Sequence, residues 1–395
     1  MEPLIPDDPN LLRGAEELIT TAAPMGRHLH PVTLGAVTDL LRTVNCYYSN
    51  LIEGHDTRPI DIERAMRADY SHDPVARDLQ KEARAHIEVQ RLMEERLDAD
   101  PVLNVCSTDF LCWIHRELYT RVPESLRVVR NPDTGREEAV IPGALRHHDV
   151  KVGGHVGPPF AEVPEYLARF GDSYRPSRFD GPNALVSLAG AHHRLLWVHP
   201  FGDGNGRVAR LMTDGYLRLR SIGGHGLWTA SRGLARKRSE FFTVLAAADA
   251  ERWNDYDGRG SRSLRALVSF CEFFLDVCRD QVDYMGGLLK VDSLAERVEK
   301  YGLARESASL PDHLGSTGRD SRLPAGSAHL LRDLMYRGSV GRGEVARITG
   351  LPERTARRVT HDLLEEGFLS SDSPRAPLRF RIPAHAGAYF FPDLF

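Results

Sequence analysis

A mainly α fold, with a helical core, a β-hairpin flap and a C-terminal winged helix-turn-helix, is predicted by three features of the sequence. Apolar residues recur at helical spacing through 33–50, 75–98, 107–120, 183–198, 206–220, 239–249 and 263–300, with Gly and Pro largely confined to the gaps. Between Arg130 and Phe160 that period gives way to Gly, Pro and short β-prone pieces such as Val150-Lys151-Val152, which predicts a single small hairpin or extended flap. From Ala328 onward, three short helical stretches and two strand-like stretches follow in close order.

Taken in order, residues 1–101 read as an N-terminal helical region, 102–260 as the core and 261–305 as a helical connector. The stretch Glu306–Ser327 is polar, rich in Gly, Pro and Ser, and without periodicity, so 306–326 reads as a linker. In 327–395, Ala328–Met335, Arg342–Thr349 and Pro352–Glu366 read as helices, with Gly350 between the second and third and Pro352 at a helix-starting position. Leu369-Ser370-Ser371 and Leu378-Arg379-Phe380-Arg381-Ile382 read as strands around the turn Asp372–Pro377, which completes the order of a winged helix.

Composition sets outer bounds on function. At 395 residues, more than one unit is expected, since single domains usually run to about 100–200 residues. With 42% apolar and 27% charged residues, the chain is not dominated by disorder. A net charge of −4 gives no global attraction to nucleic acid or anionic membrane, so any such contact must come from a local patch. Cys46, Cys106, Cys112, Cys271 and Cys278 lack CxxC spacing or a His partner and read as buried thiols. The acidic start MEPLIPDDPN and the lack of any run of about 18–20 apolar residues lead us to expect a cytoplasmic protein with no membrane partner.

The chemistry is concentrated in His199-Pro200-Phe201-Gly202-Asp203-Gly204-Asn205-Gly206-Arg207-Val208-Ala209-Arg210, between two predicted helices. Three glycines within five residues let consecutive N–H groups turn inward, and with the start of the next helix they form an anion nest suited to phosphate. Asp203 offers a hard carboxylate oxygen for Mg²⁺, which typically binds through one or two carboxylates plus substrate phosphates. Arg207 and Arg210 share a helix face and can add charge-assisted bonds to outer phosphates. His199 is the motif group able to take a proton near neutral pH. A plain Gly-rich turn between helices would not account for His, Asp, Asn and two Arg together. The Walker loop is absent, as no Lys-Ser or Lys-Thr follows the glycines, and so is the dinucleotide GxGxxG with its strand.

This segment resembles the Fic family motif HPFxxGNGRxxR and matches it at every fixed position. The resemblance implies a protein adenylyltransferase that moves AMP from Mg-ATP to a Tyr, Thr or Ser hydroxyl of a protein, itself included. It makes His199 the base, Asp203 the Mg²⁺ ligand, Gly204-Asn205-Gly206 the phosphate cradle, Arg210 the γ-phosphate ligand, and Arg207 either a phosphate ligand or a prop of the loop. Gly143–Arg146, Val150–Gly154 and Pro158-Pro159 are similar to the family's flap, whose edge aligns a target segment by strand addition. Phe242 and Asp249, seven apart on one predicted helix, fall where many Fic proteins place an aromatic and a polar residue around adenine; an ordinary core Phe and a solvated Asp remain an equal reading.

Ser49-Asn50-Leu51-Ile52-Glu53-Gly54 resembles the family's inhibitory pattern [ST]xxxE[GN], here ahead of the core. The resemblance implies that Glu53 mimics the γ-phosphate, pairs with Arg210 and leaves ATP bound unproductively. Removal of AMP, transfer of another phosphate-linked group, and a DNA-binding regulator with a nucleotide-sensing core all stay open, as does a homodimer. Ten Arg against eight acidic residues from Ser327 onward, with Arg354, Arg357 and Arg358 on the third helix, could meet DNA. Glu353, Asp362, Glu365 and Glu366 share that helix, so protein docking stays equally open. His192 and His193 read as structural, and the tandem His147-His148 as facing water ahead of touching substrate.

Overall fold

The computed structural model describes residues 1–130, 135, 137–222, 224–310 and 322–395; residues 311–321 of the predicted linker lie outside the described residues. The fold is mainly α. In chain order the helices are α1 Pro9–Ala22, α2 Pro31–Ile52, α3 Pro59–Met66, α4 Pro74–Ala99 and α5 Thr108–Arg121, followed by the strands β1 Val128–Arg130, β2 Glu137–Ala139, β3 Lys151–Val152 and β4 His155–Val156. Next come α6 Val163–Ser173, α7 Gly181–Val198, α8 Asn205–Leu219, α9 Ala230–Arg236, α10 Arg238–Ala247, α11 Leu264–Leu288 and α12 Val291–Glu306. The C-terminal elements are α13 Ser327–Arg337, β5 Ser339–Val340, α14 Val345–Thr349, α15 Glu353–Glu365, β6 Leu369–Ser370, β7 Leu378–Phe380 and α16 Ala384–Phe390.

The chain divides into two compact units. The first comprises residues 1–23, 45–57 and 64–283. At its centre α7 is buried on nearly every face and packs against α1, α6 and α8, while α8 also packs against α4 and α5. Crowding around α7 is tight enough that a Cβ on Gly190 would lie 2.7 Å from the carbonyl oxygen of Leu4. Helix α1 starts where Asp8 accepts from the N–H groups of Asn10 and Leu11 with Pro9 behind it, a cap-and-proline signal independent of apolar periodicity.

The second unit comprises residues 24–44, 58–63 and 284–395. Helices α12 and α13 pack together, and the sheet runs β5-β7-β6, all antiparallel. Tyr301 anchors an aromatic cluster with Phe368, Tyr389 and Phe390, and the buried Arg305 donates to both carboxylate oxygens of Glu366 at 2.9 Å. The Thr33 hydroxyl donates to the carbonyl of Met335 at 2.7 Å.

Several expectations need correction. The segment 130–160 holds two hairpins, β1–β2 and β3–β4, in place of one, because Val128-Val129 joins the β-prone run just before it. The stretch 263–300 is two helices, since Lys290 turns to extended backbone (φ −64°, ψ 122°) between α11 and α12. Helix α10 ends at Ala247, so Phe242 lies on it and Asp249 lies just past its end.

Candidate active site

The loop between α7 and α8 is built by its own residues. His199 ends α7 in the left-handed region (φ 48°) and Gly204 starts α8 there (φ 76°). A Cβ on Gly204 would meet the Tyr119 ring at 2.6 Å, so this position needs glycine for both its backbone and its close approach. The Asn205 side chain closes the loop on itself: Oδ1 accepts from the Phe201 N–H and Nδ2 donates to the Phe201 carbonyl, both at 2.9 Å. Phe201 is fully buried and stacks on His115 with ring centroids 4.1 Å apart. Pinned this way, the loop presents the N-terminal N–H groups of α8 as an anion site.

Arg210 is 3% exposed and faces α2. Its Nε donates to Ser49 Oγ and its Nη2 to the Ser49 carbonyl, both at 2.9 Å, and Nη2 also meets Glu53 Oε1 at 2.5 Å. A Cβ on Gly206 would collide with that same Glu53 oxygen, so the carboxylate sits on the first turn of α8. Burial alone would raise the Glu53 carboxyl, but the charges of Arg210 and then Arg207 outweigh it and hold the group below its ordinary range.

Arg207 turns elsewhere. Buried at 4% exposure, it donates to Glu82, to the Tyr119 hydroxyl at 2.7 Å and to Asp203 Oδ2 at 3.2 Å. Burial would lower its pKa, yet Tyr119, Glu82 and Asp203 overcome this and raise it, so it stays cationic as the loop's internal prop. Tyr119 also donates to Asp203 Oδ2 at 2.5 Å. Burial pushes Asp203 up, while Arg207 and this hydrogen bond pull it lower overall, so the carboxylate is ionised at neutral pH. Half-exposed and fixed from behind, it is a hard oxygen donor of the kind that suits Mg²⁺.

Burial, and secondarily the nearby His155, lowers His199 to about 4, so its imidazole is neutral and can accept a proton. It lines a cavity of about 170 Å³ together with Gly202 and flap residues that include Ile141, His148 and Val152. The hub of that flap is Arg146, whose guanidinium donates to the carbonyls of His199 and His148 at 2.8 and 2.9 Å and to that of Pro158 at 2.5 Å.

The structure thus brings Ser49, Glu53, Asp203, Gly204, Asn205, Gly206, Arg207 and Arg210 together at one helix start. Phe242 and Asp249 are reached by other contacts. Phe242 is 42% exposed, with Arg238 over its ring at 5.0 Å, and Arg238 in turn donates to the carbonyl of Ile52, next to Glu53. Asp249 pairs with His155 of β4 at 2.9 Å and with His193 at 3.4 Å. Burial raises its pKa, but the hydrogen bonds from these two histidines outweigh that and hold the carboxyl below its ordinary range. Sequence reasoning missed Glu82, His115, Tyr119 and His155, and it placed Arg146 in the flap without its role as hub. Each sits on a helix or flap whose local pattern is ordinary, and their roles follow only from long-range packing.

Comparison with known proteins shows what the segment carrying this site is similar to. Residues 105–217 match the Fic/DOC family model. The Protein adenylyltransferase Fic of Drosophila willistoni is 34% identical over 80 residues, 20% of this chain and 16% of that protein. Its counterpart in Drosophila mojavensis is 29% identical over 99 residues, 25% of this chain and 20% of that protein. The matches therefore span a fifth or less of those relatives' length. A solved Fic family protein from Desulfovibrio desulfuricans G20 has a TM-score of 0.53 at 19% identity, covering 96% of this chain and 98% of that one. Fic-1 from C. elegans has a TM-score of 0.54 at 18% identity, covering 72% and 73%. At these identities the structural likeness is one of fold.

Proposed function

We propose that this chain, a Fic family protein, is an adenylyltransferase that moves AMP from Mg-ATP to a Tyr, Thr or Ser hydroxyl of a protein and is restrained by Glu53. The observation that carries the reading is the juxtaposition at the start of α8: a neutral His199, an ionised Asp203 and the nest at Gly204–Gly206, with Arg210 beside it.

In the proposed step the target hydroxyl oxygen attacks the α-phosphorus in line, an O–P bond forms, and the bond to pyrophosphate breaks. His199 takes the hydroxyl proton, and the N–H groups of the nest stabilise charge on the phosphoryl oxygens. Asp203 would hold Mg²⁺, which when bound neutralises phosphate charge. Arg207, spent on Glu82 and Tyr119, keeps the loop's shape. Arg210 would bind the γ-phosphate once Glu53 leaves it, and Phe242 is exposed enough to stack on adenine. Asp249 would act at one remove by holding His155 of the flap.

Because Glu53 rests on the same turn of α8, it could instead orient water for removal of AMP, the second reading. Incubating the protein and a lysate with ATP labelled on the α-phosphate separates the two. Label entering protein, dependent on His199 and increased by Glu53→Gly, supports transfer; label lost only from pre-modified protein supports removal. We read the helix–strand–helix–helix–strand–strand order of 327–380, followed by α16, as a winged helix. The exposed Arg354, Arg357 and Arg358 on α15 are its candidate contacts to DNA or to a docking protein.

A further inference from the structure

The tandem His147-His148, which by sequence faces water ahead of touching substrate, meets Glu138 of β2 in the fold. We propose that Glu138, His147 and His148 form a binding site for a divalent transition ion of the zinc class at the base of the flap. One ligand atom from each residue lies within 4.8 Å of the other two. His148 Nδ1 stands 3.1 Å from Glu138 Oε2, and His147 Nε2 stands 3.9 Å from the same oxygen. Zinc holds imidazole nitrogen and carboxylate oxygen at about 2.0–2.2 Å, so two ligands on one ion are about 3–3.5 Å apart. The first pair already has that separation, and the second needs a small rotation of the exposed His147 ring.

The donor set selects the ion. Two imidazoles with one carboxylate suit Zn²⁺, Fe²⁺, Ni²⁺ or Cu²⁺, whereas Mg²⁺ prefers oxygen alone, so this site is chemically distinct from Asp203. Its backbone is also prepared. Glu138 is held in register opposite Val129, and the His148 carbonyl is fixed by the buried Arg146, the same side chain that holds the carbonyl of His199. Glu138 and both histidines line the cavity that reaches His199 and Gly202. An ion here would tie β2 to the 146–149 loop on the wall of the cavity that reaches His199. The proposal does not rest on the adenylyltransferase reading, and binding is measured without turnover.

The test is a titration of tag-free protein with Co²⁺, read by its visible absorption, and with Zn²⁺, read by calorimetry, both in excess Mg²⁺ so that Asp203 does not compete. One saturable ion per chain is expected, weakened at least about tenfold by His148→Ala, by His147→Ala and by Glu138→Gln. Circular dichroism of each variant would show that the fold persists; these partly exposed side chains are removable without opening the core. Amide exchange across 137–152 should slow when Zn²⁺ is added to wild type. Absence of saturable binding in wild type, or undiminished binding in the His147→Ala/His148→Ala double variant, would overturn the site. Exchange that does not change with the ion bound would overturn its hold on the flap.

Discussion

Glu53→Gly should make the protein more active. The carboxylate meets Arg210 at 2.5 Å and rests against Gly206, so it occupies the space and the charge partner that an outer phosphate needs. A charge-assisted hydrogen bond of this type contributes about 1.5–3 kcal/mol, and each 1.4 kcal/mol is a factor of ten, so the gain lies between roughly tenfold and a hundredfold or more. With the Glu53 side chain 34% exposed, solvent screening favours the lower half of that range. Arg210 stays positioned after the change because its bonds to the hydroxyl and carbonyl of Ser49 remain. The assay is incorporation of label from ATP into the protein and into a lysate, for wild type, Glu53→Gly and Glu53→Gly/Arg210→Ala. The single variant should exceed wild type, and the double variant should lose the gain, since the freed guanidinium is its source. Equal activity of wild type and Glu53→Gly would refute the reasoning, as would a gain that survives loss of Arg210.

Four more outcomes follow from the same geometry. Asp203→Ala should abolish Mg²⁺-dependent transfer, whereas Cys46→Ala should not; turnover that persists in chelator would count against the metal role. Glu82→Ala takes one charge-assisted partner from the buried Arg207, which keeps Asp203 and Tyr119, and should lower unfolding stability by about 1.5–3 kcal/mol, read as a shift of the urea midpoint. His55 donates to Glu82 at 2.6 Å, and that hydrogen bond raises its pKa, so the charged tie is present below the raised value and is lost as pH rises. His55→Ala should therefore loosen the inhibitory segment and raise basal transfer by up to about fivefold, the scale of a partly exposed pair, without changing the Glu53→Gly variant. Because His199 is lowered to about 4, transfer measured as kcat/KM should hold as pH falls through 6.5 and collapse only near 4; an acid limb at 6.5 would deny His199 the role of base.

The sequence made the loop 199–210 legible because its signal is local. In 199–210 the glycines, Asp203 and both arginines lie within one turn-and-helix start, where spacing alone dictates geometry. Glu53 was legible only through resemblance, for nothing in SNLIEG by itself points 157 residues onward to Arg210. The division of labour between the two arginines was beyond reach. Glu82 sits 125 residues from Arg207 on a helix rich in charge, where a buried acid reads like its solvated neighbours. Asp249 likewise read as solvated or adenine-facing, yet His155 and His193 converge on it from the flap and from α7. Among the helices, long periodic ones such as α4 and α7 were plain. Short ones such as α3 and α9 were not, because eight or fewer residues span too few turns to show a period.

Transfer of AMP with His199 as the base is tested most directly by mass spectrometry of Glu53→Gly after incubation with Mg-ATP, alongside Glu53→Gly/His199→Ala. The single variant should carry the mass of AMP on a Tyr, Thr or Ser side chain, its own or that of a protein in an added lysate, and the double variant should carry none. An unmodified spectrum for Glu53→Gly with lysate present, or the same adduct in the variant without His199, would contradict the mechanism.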